Sequence, residues 1–235
     1  MVTELKLGDL AIDVVFKDIK NVHLSVHPPS GRVRVAAPTR MSLEAVRLFA
    51  VSKIGWIRKH QRKIQGQERE TPREYLERES HYVWGRRYLL HLTAPASRSR
   101  VTLSTRTMEL TMPEGADAVQ RQAILDAWYR EELREKARPV ITRWERQLGV
   151  SLNRFFIQKM KTKWGGSNPS LRTIRLNLEL AKRPPECLDY IVLHELAHFL
   201  VPNHSEHFTT LLDRHMPGWR SIRDRLNEGP LPTFG

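Results

Sequence analysis

The residues best suited to chemistry lie near the carboxyl end of the chain, in the run His194-Glu195-Leu196-Ala197-His198. Two histidines four positions apart share one face of a helix, so both imidazoles can reach a single metal ion. Glu195 projects beside them without being a ligand, where it can take a proton from metal-bound water and pass it to a leaving group. The pattern predicts a Zn²⁺-dependent hydrolase with His194 and His198 as ligands and Glu195 as the base.

A catalytic zinc site requires a third protein ligand and one open position. His204 is the leading candidate, because it follows His198 after five residues and the intervening Pro202-Asn203 would end the helix and turn the chain back. The alternatives are His207 and a downstream carboxylate, Asp213 or Glu228.

The helix that carries this motif must be buried, since it is apolar on nearly every side. Two histidines and a glutamate are costly to bury without a partner, which favours metal ligation over hydrogen-bonded core histidines. Pro184 and Pro185 precede the helix, where a missing amide costs little. Before them, the sequence predicts a strand at 155–160, a loop at 161–170 and a strand at 173–180 with alternating apolar residues.

The rest of the chain predicts an α+β fold in two parts. Residues 1–115 form a β-rich portion that contains one helix at 42–65, with Ser42 as its N-cap. Residues 116–235 form the metal-bearing portion, which begins with a long helix at 118–148 that Pro139 should kink or split. No internal repeat is visible in the sequence.

The helix at 42–65 carries the densest positive run of a chain whose net charge is +13. Its cations are Arg47, Lys53, Arg58, Lys59, Arg62 and Lys63. A solvated helix face is the plainer interpretation, and nonspecific binding of a nucleic acid or another polyanion is the alternative. Trp56 within the run is expected to be a core residue rather than a base-stacking platform. Residues 1–115 hold 20 lysines and arginines against 12 acids, so most of the excess charge lies outside the metal-bearing part.

Composition and cysteine usage favour a cytoplasmic protein. A single cysteine, Cys187, excludes an intrachain disulfide and fits a reducing compartment. The first ten residues lack the basic patch and apolar run of a signal peptide. No apolar stretch is long enough to cross a membrane, and the oligomeric state is not predictable.

The segment 161–208, KTKWGGSNPSLRTIRLNLELAKRPPECLDYIVLHELAHFLVPNHSEHF, resembles the core of the YgjP-like metallopeptidase domain, a cytoplasmic and mostly prokaryotic group related to the SprT-like zincins. The resemblance extends more loosely over the whole chain. It implies His194, His198 and His204 as zinc ligands and Glu195 as the base. Gly166-Ser167 departs from it, because the family usually has Ser-Cys there.

The leading functional hypothesis is therefore a zinc metallopeptidase that acts on a peptide or protein. Its substrate is expected to pair with the strand at 173–180, as in other zincins, and Tyr190, His207 and Lys161 are candidates for stabilising the oxyanion. One alternative is a metal-dependent nucleotide phosphohydrolase that uses the surrounding positive charge. Another, suggested by the SprT-like relatives, is a protease associated with DNA or RNA through nonspecific, salt-sensitive contacts of the basic helix.

Overall fold

The computed structural model describes residues 2–27, 30–65, 73–95, 97–160 and 162–227, with side chains as far as Arg62 in the second range. The fold is α+β, as predicted, and the described residues form three small sheets and six α-helices. They divide into two compact units, one within residues 2–65 and the other within 73–227. None of the described helices combines the length and the apolar character that a bilayer crossing requires. The side chain of Lys63, as well as Lys161 and Glu228, lies outside the described residues.

The first unit is a four-stranded sheet with two helices. Its strands are β1 (Val2–Leu7), β2 (Leu10–Lys17), β3 (His23–His27) and β4 (Arg32–Pro38), in the order β1-β2-β4-β3. Strands β2 and β4 are parallel, whereas the two hairpin pairs are antiparallel. Alternate residues point inward, so Ile12, Val14, Val33 and Val35 are fully buried in the core of this unit.

The predicted helix at 42–65 is two helices, α1 (Leu43–Ser52) and α2 (Ile54–Gln65), separated by Lys53. Ser42 is confirmed as the N-cap, because its hydroxyl accepts a hydrogen bond from the amide of Ala45 at 3.2 Å. The expected burial of Trp56 is wrong. Ile57 occupies the core position of α2, whereas Trp56 is 42% exposed and stacks on His60 with ring centroids 3.9 Å apart.

The second unit begins with a sheet of the same topology. Its strands are β5 (Ser80–Val83), β6 (Arg86–Thr93), β7 (Arg100–Leu103) and β8 (Thr107–Thr111), in the order β5-β6-β8-β7. Again the two inner strands, β6 and β8, are parallel and each pairs with its hairpin partner in antiparallel sense. The repetition lies in strand order and pairing, which is why the sequence does not display it.

A long helix, α3 (Ala118–Leu148), follows this sheet and packs into the same core. Asp117 and Gln120 form a reciprocal capping box at its start, and Gly149 ends it in the left-handed conformation at φ 67°. The helix runs unbroken through Pro139, so the expected split does not occur. Burial of Ala137 and Ile141 on either side stabilises the continuous helix.

The shared core also explains why the two units do not follow the predicted boundary at 115/116. Val83, Leu90 and Met108 of the second sheet are buried in one cluster with Leu125 and Leu133 of α3. The sheet β5–β8 therefore belongs to the same unit as the metal-bearing segment.

His81 on β5 is a buried histidine outside the candidate site, with 2% of its side chain exposed. Its Nε2 lies 3.3 Å from a carboxylate oxygen of Glu79 without hydrogen-bond geometry, and Arg73 binds that same carboxylate. Burial, followed by the positive charges of Arg73 and Lys182, lowers the pKa of His81 to about 3. His81 is therefore neutral at physiological pH.

The remaining elements surround the predicted motif. A third sheet contains β9 (Arg154–Gln158), β10 (Gly165–Asn168) and β11 (Thr173–Asn177) in the order β10-β11-β9. The helices are α4 (Pro185–Ala197), α5 (Glu206–His215) and α6 (Trp219–Asn227). Two details differ from the prediction. Part of the predicted loop at 161–170 is strand β10, and the strand predicted to end at 180 ends at Asn177, which caps a short 3-10 helix at Leu178–Lys182.

Candidate metal centre and cleft

Helix α4 positions the two histidines of the motif. It begins at Pro185 and is buried on almost every side, with Ile191, Leu193 and Leu196 at 5% exposure or less. The helix ends at Ala197, but His198 keeps helical dihedral angles of φ −64° and ψ −15°. The one-turn spacing between the two imidazoles is therefore preserved at the helix terminus.

The turn after α4 brings His204 against these two residues. The ring centroids are 5.0 Å apart for His194 and His198, 5.0 Å for His194 and His204, and 4.7 Å for His198 and His204. The Nε2 atoms of His194 and His204 are 3.0 Å apart, and one nitrogen from each of the three rings lies within 4.8 Å of the others. Ligands of a tetrahedral zinc site at 2.0–2.1 Å are about 3.3–3.4 Å apart. The spacing therefore fits a metal ion, and no other such cluster occurs in the part of the chain that the structure describes.

Neighbouring groups orient the imidazoles. Nδ1 of His198 lies 3.2 Å from the carbonyl oxygen of Val201, and Nδ1 of His194 lies 3.5 Å from the hydroxyl of Tyr190. Each contact leaves Nε2 directed toward the cluster, the arrangement that metal-binding histidines use. Phe208 of α5 is 1% exposed and packs its ring 4.6–5.0 Å from all three imidazoles.

The two histidines of the motif are held neutral, which metal ligation requires. Burial, followed by the neighbouring His198 and His204, lowers the pKa of His194 to about 4. Burial likewise lowers the pKa of His198.

Glu195 faces a neighbouring element, strand β10. Its side chain is buried, and the hydroxyl of Ser167 donates a hydrogen bond to its carboxylate. Burial raises the pKa of Glu195 to about 7, although Ser167 and the charge of Lys163 act in the opposite direction. A carboxyl group near this pKa can both accept and release a proton at neutral pH.

Gly165 allows this close approach of β10 and α4. A Cβ at position 165 would lie 2.6 Å from Oε1 of Glu195 and 2.9 Å from both Cγ of Glu195 and Cγ2 of Ile191. Any larger residue would collide with the carboxylate. Asn177 holds the segment that leads into β10. Its buried side-chain amide donates hydrogen bonds of 2.8 Å to the carbonyl oxygens of Met160 and Lys163.

The three imidazoles and Glu195 line one open cleft of about 410 Å³. Its walls come from β10 with the residues just before it, from α4, from His204 and from α6. The lining residues are Lys163, Trp164, Gly165, Gly166, Ser167, Tyr190, Ile191, His194, Glu195, His198, His204, Arg223, Leu226 and Asn227. A cleft of this volume is in the usual range for ligand sites.

The structure thus brings together His194, Glu195, His198 and His204, and two other candidates among the described residues, His207 and Asp213, do not line the cleft. His207 is exposed and does not line the cleft. Asp213 is engaged by Arg220 and by Nε1 of Trp219. Tyr190 lines the cleft, but its hydroxyl contacts the far nitrogen of His194, the position of a group that orients a ligand.

Sequence reasoning missed Gly165, Ser167, Phe208 and Arg223 as parts of this site. Only the adjacent glycines carried a signal, since paired glycines after a tryptophan indicate that the backbone approaches another element closely.

A helix that presents two histidines and a buried glutamate to a cleft, with a third histidine from the following turn, is the arrangement that metal-dependent hydrolases with this motif use. The comparison with known families agrees. The model described as "YgjP-like, metallopeptidase domain" matches residues 20–229, and the chain belongs to this family.

Two solved structures are similar to part of the chain. The metallopeptidase zymogen abylysin of Pyrococcus abyssi is 22% identical, with a TM-score of 0.37, over 40% of this chain and 98% of its own. The metallopeptidase zymogen jannalysin of Methanocaldococcus jannaschii is 26% identical, with a TM-score of 0.35, over 39% of this chain and 87% of its own. No curated protein matches the chain in sequence.

Proposed function

We propose that this protein is a zinc metallopeptidase in which His194, His198 and His204 hold Zn²⁺ and Glu195 is the general base. The observation that carries the proposal is the convergence of three imidazole nitrogens within 4.8 Å of one another, beside a buried carboxylate in the same cleft. Three nitrogen ligands with an open side are the donor set of catalytic zinc. A cytoplasmic location stays a prediction from the sequence.

The residues of the chain have separate tasks in this proposal. When bound, zinc would acidify a water molecule and polarise the carbonyl group of the substrate. Glu195 takes the proton of the attacking water and delivers it to the leaving amine. Ser167 fixes the orientation of that carboxylate, and the carbonyl of Val201 and the hydroxyl of Tyr190 fix the rings of His198 and His194.

The strand that pairs with the substrate must differ from the one the sequence suggested. Strand β11 lies in the centre of its sheet, hydrogen-bonded to β10 on one side and β9 on the other, so it has no edge to offer. Strand β10 is an edge strand, and three of its residues, Gly165–Ser167, line the cleft. An extended peptide is therefore expected to add to β10, because main-chain hydrogen bonds at a free edge bind peptides of varied sequence.

The first experiment is a comparison of Glu195→Gln with wild type after loading with zinc. Both proteins should contain one zinc per chain by elemental analysis, because Glu195 is not a ligand. Only wild type should cleave members of a quenched-fluorescent peptide library. Hydrolysis by purified Glu195→Gln at the wild-type rate contradicts the mechanism, and loss of zinc in His204→Ala checks the third ligand.

An assay of the same zinc-loaded wild-type protein tests the alternative of a nucleotide phosphohydrolase. Release of phosphate or pyrophosphate from a panel of nucleoside triphosphates, without cleavage of any peptide, would replace the peptidase assignment.

Binding of nucleic acid by the first unit stays a prediction from the sequence. Of its predicted contacts, Arg47 and Arg58 are paired with Glu44 and Asp9. Lys53, Lys59 and Arg62 are exposed. If these cations bind DNA or RNA, the affinity should fall steeply as salt rises, because binding releases condensed counterions. An absence of binding at low salt removes this function.

A further inference from the structure

The charges that line the cleft are asymmetric. Lys163 and Arg223 are its cationic residues, and Glu195 is its one carboxylate among the described residues. Glu195 is buried and has a catalytic task in the proposed function. Lys163 and Arg223 are therefore the charged side chains available to contact a substrate.

Lys163 has a fixed backbone and an exposed side chain. Its carbonyl oxygen accepts a hydrogen bond of 2.8 Å from the buried amide of Asn177, and β10 begins two residues later. Its side chain is exposed, and no carboxylate of the described residues lies within 4.0 Å of its ammonium group. The backbone of Lys163 is thus held at the start of the substrate-pairing strand, while its ammonium group forms no ion pair with the described residues.

Arg223 lies on another wall of the cleft, on α6, at the end of a column of aromatic rings. Its guanidinium lies 5.2 Å from the ring centroid of Trp219, which stacks on Tyr190 at 6.0 Å with planes 10° apart. Nε and Nη2 donate to one oxygen of Asp224 at 2.9 and 2.8 Å. Asp224 therefore offsets part of its charge, while Nη1 has no hydrogen-bond partner among the described residues.

We propose that this cleft selects peptides that carry a carboxylate within one or two residues of the scissile bond, with Lys163 as the contact and Arg223 of α6 assisting. This inference rests on the proposed peptidase function and specifies its substrate. The carboxylate can belong to an aspartate or glutamate side chain or to the C-terminus of the peptide. A single carboxylate matches the site. Lys163 contributes a full positive charge, whereas Asp224 offsets part of the positive charge of Arg223.

The test uses the full-length, zinc-loaded protein and quenched-fluorescent peptides of one parent sequence from the library screen. The peptides differ only in having Glu, Gln or Lys at each position flanking the scissile bond, and a further pair has a free or an amidated C-terminus. Wild type should cleave the best Glu peptide about tenfold more efficiently than its Gln counterpart, as expected for one partly solvated charge-assisted contact. The difference should appear mainly in KM and shrink in 0.5 M salt.

The variants identify the residue. Lys163→Gln should abolish the preference for Glu over Gln, and Lys163→Glu should shift it toward the Lys peptide. Arg223→Gln should weaken this preference without abolishing it. Arg225→Gln is its matched control, because Arg225 is also on α6 but pairs with Glu186 and lies outside the cleft. This control should keep the wild-type preference. The C-terminal pair distinguishes a terminal from a side-chain carboxylate.

Binding of the same peptides to Glu195→Gln, followed by fluorescence anisotropy, gives a second measurement that does not depend on turnover. Equal cleavage, or equal binding, of Glu and Gln peptides overturns the inference and leaves the peptidase function standing. Phosphate release from nucleotides without cleavage or binding of any peptide overturns both.

Discussion

The contact between Gly165 and Glu195 leads to a prediction that separates catalysis from metal binding. In Gly165→Ala the new methyl group would lie 2.9 Å from Cγ and 2.6 Å from Oε1 of Glu195. Ordinary contacts between carbon atoms begin at about 3.5 Å, so Cγ must move by about 0.6 Å and the carboxylate by more. Ile191 blocks one direction of relaxation, because its Cγ2 is also 2.9 Å from the new atom.

A misplacement of about 1 Å at a catalytic group lowers rates by about 100-fold, so we expect a fall in kcat of about 10- to 100-fold in Gly165→Ala. Overpacking should also lower the free energy of unfolding by about 1–3 kcal/mol. The zinc content should remain at one per chain, because the three atoms nearest to the new methyl group belong to Glu195 and Ile191 and not to a metal-binding imidazole.

Gly166→Ala is the matched comparison, since it adds the same methyl group to the same strand with nothing within 4 Å. Any general effect on the backbone of β10 or on substrate pairing should appear in both variants. The assay is steady-state cleavage of the best library peptide, with zinc analysis and thermal unfolding of the same samples. An equal loss of activity in the two variants would show that the position of Glu195 does not limit the reaction.

Three further predictions concern the second unit. Asn177→Ala should lower the free energy of unfolding by about 2–4 kcal/mol in urea titrations, because it removes hydrogen bonds to Met160, Lys163 and Glu179; a loss below 0.5 kcal/mol would contradict this role. Because the pKa of His81 is about 3 in the folded protein and about 6.5 when unfolded, its contribution to stability is complete above pH 6.5 and declines as the pH falls toward 3. Between pH 8 and pH 5 wild type should therefore lose about 2 kcal/mol more than His81→Gln, and parallel profiles would refute the assignment. Cys187 is fully buried and its pKa is raised to about 11 by burial, so it should react with maleimide only after unfolding, and rapid labelling of the native protein would be the contrary result.

The sequence predicted the local parts of the site and missed the distant ones, for a physical reason. His194, His198 and His204 lie within eleven residues, so helix periodicity and one turn were enough to bring them together. The environment of Glu195 comes from β10, about thirty residues earlier, and no periodicity reports which strand will touch a helix.

The same limit applied to the fold. Alternating apolar residues predicted the strand that became β11, but not that β11 would be central and β10 the edge, because pairing order depends on long-range contacts. The prediction that Trp56 is buried was wrong for a related reason. Ile57, its neighbour in sequence, occupies the core position on that turn of α2.

The two separate hydrophobic cores have a consequence for how this protein should melt. Each four-stranded sheet buries its own apolar cluster, one in the first unit and one shared with α3 and α4. We predict that the two cores unfold separately, so that calorimetry resolves two transitions. In the proposed function zinc binds only the folded form of the second unit, so it should raise one of the two melting temperatures and leave the other in place. The unchanged transition of the first unit would serve as an internal reference in every metal titration.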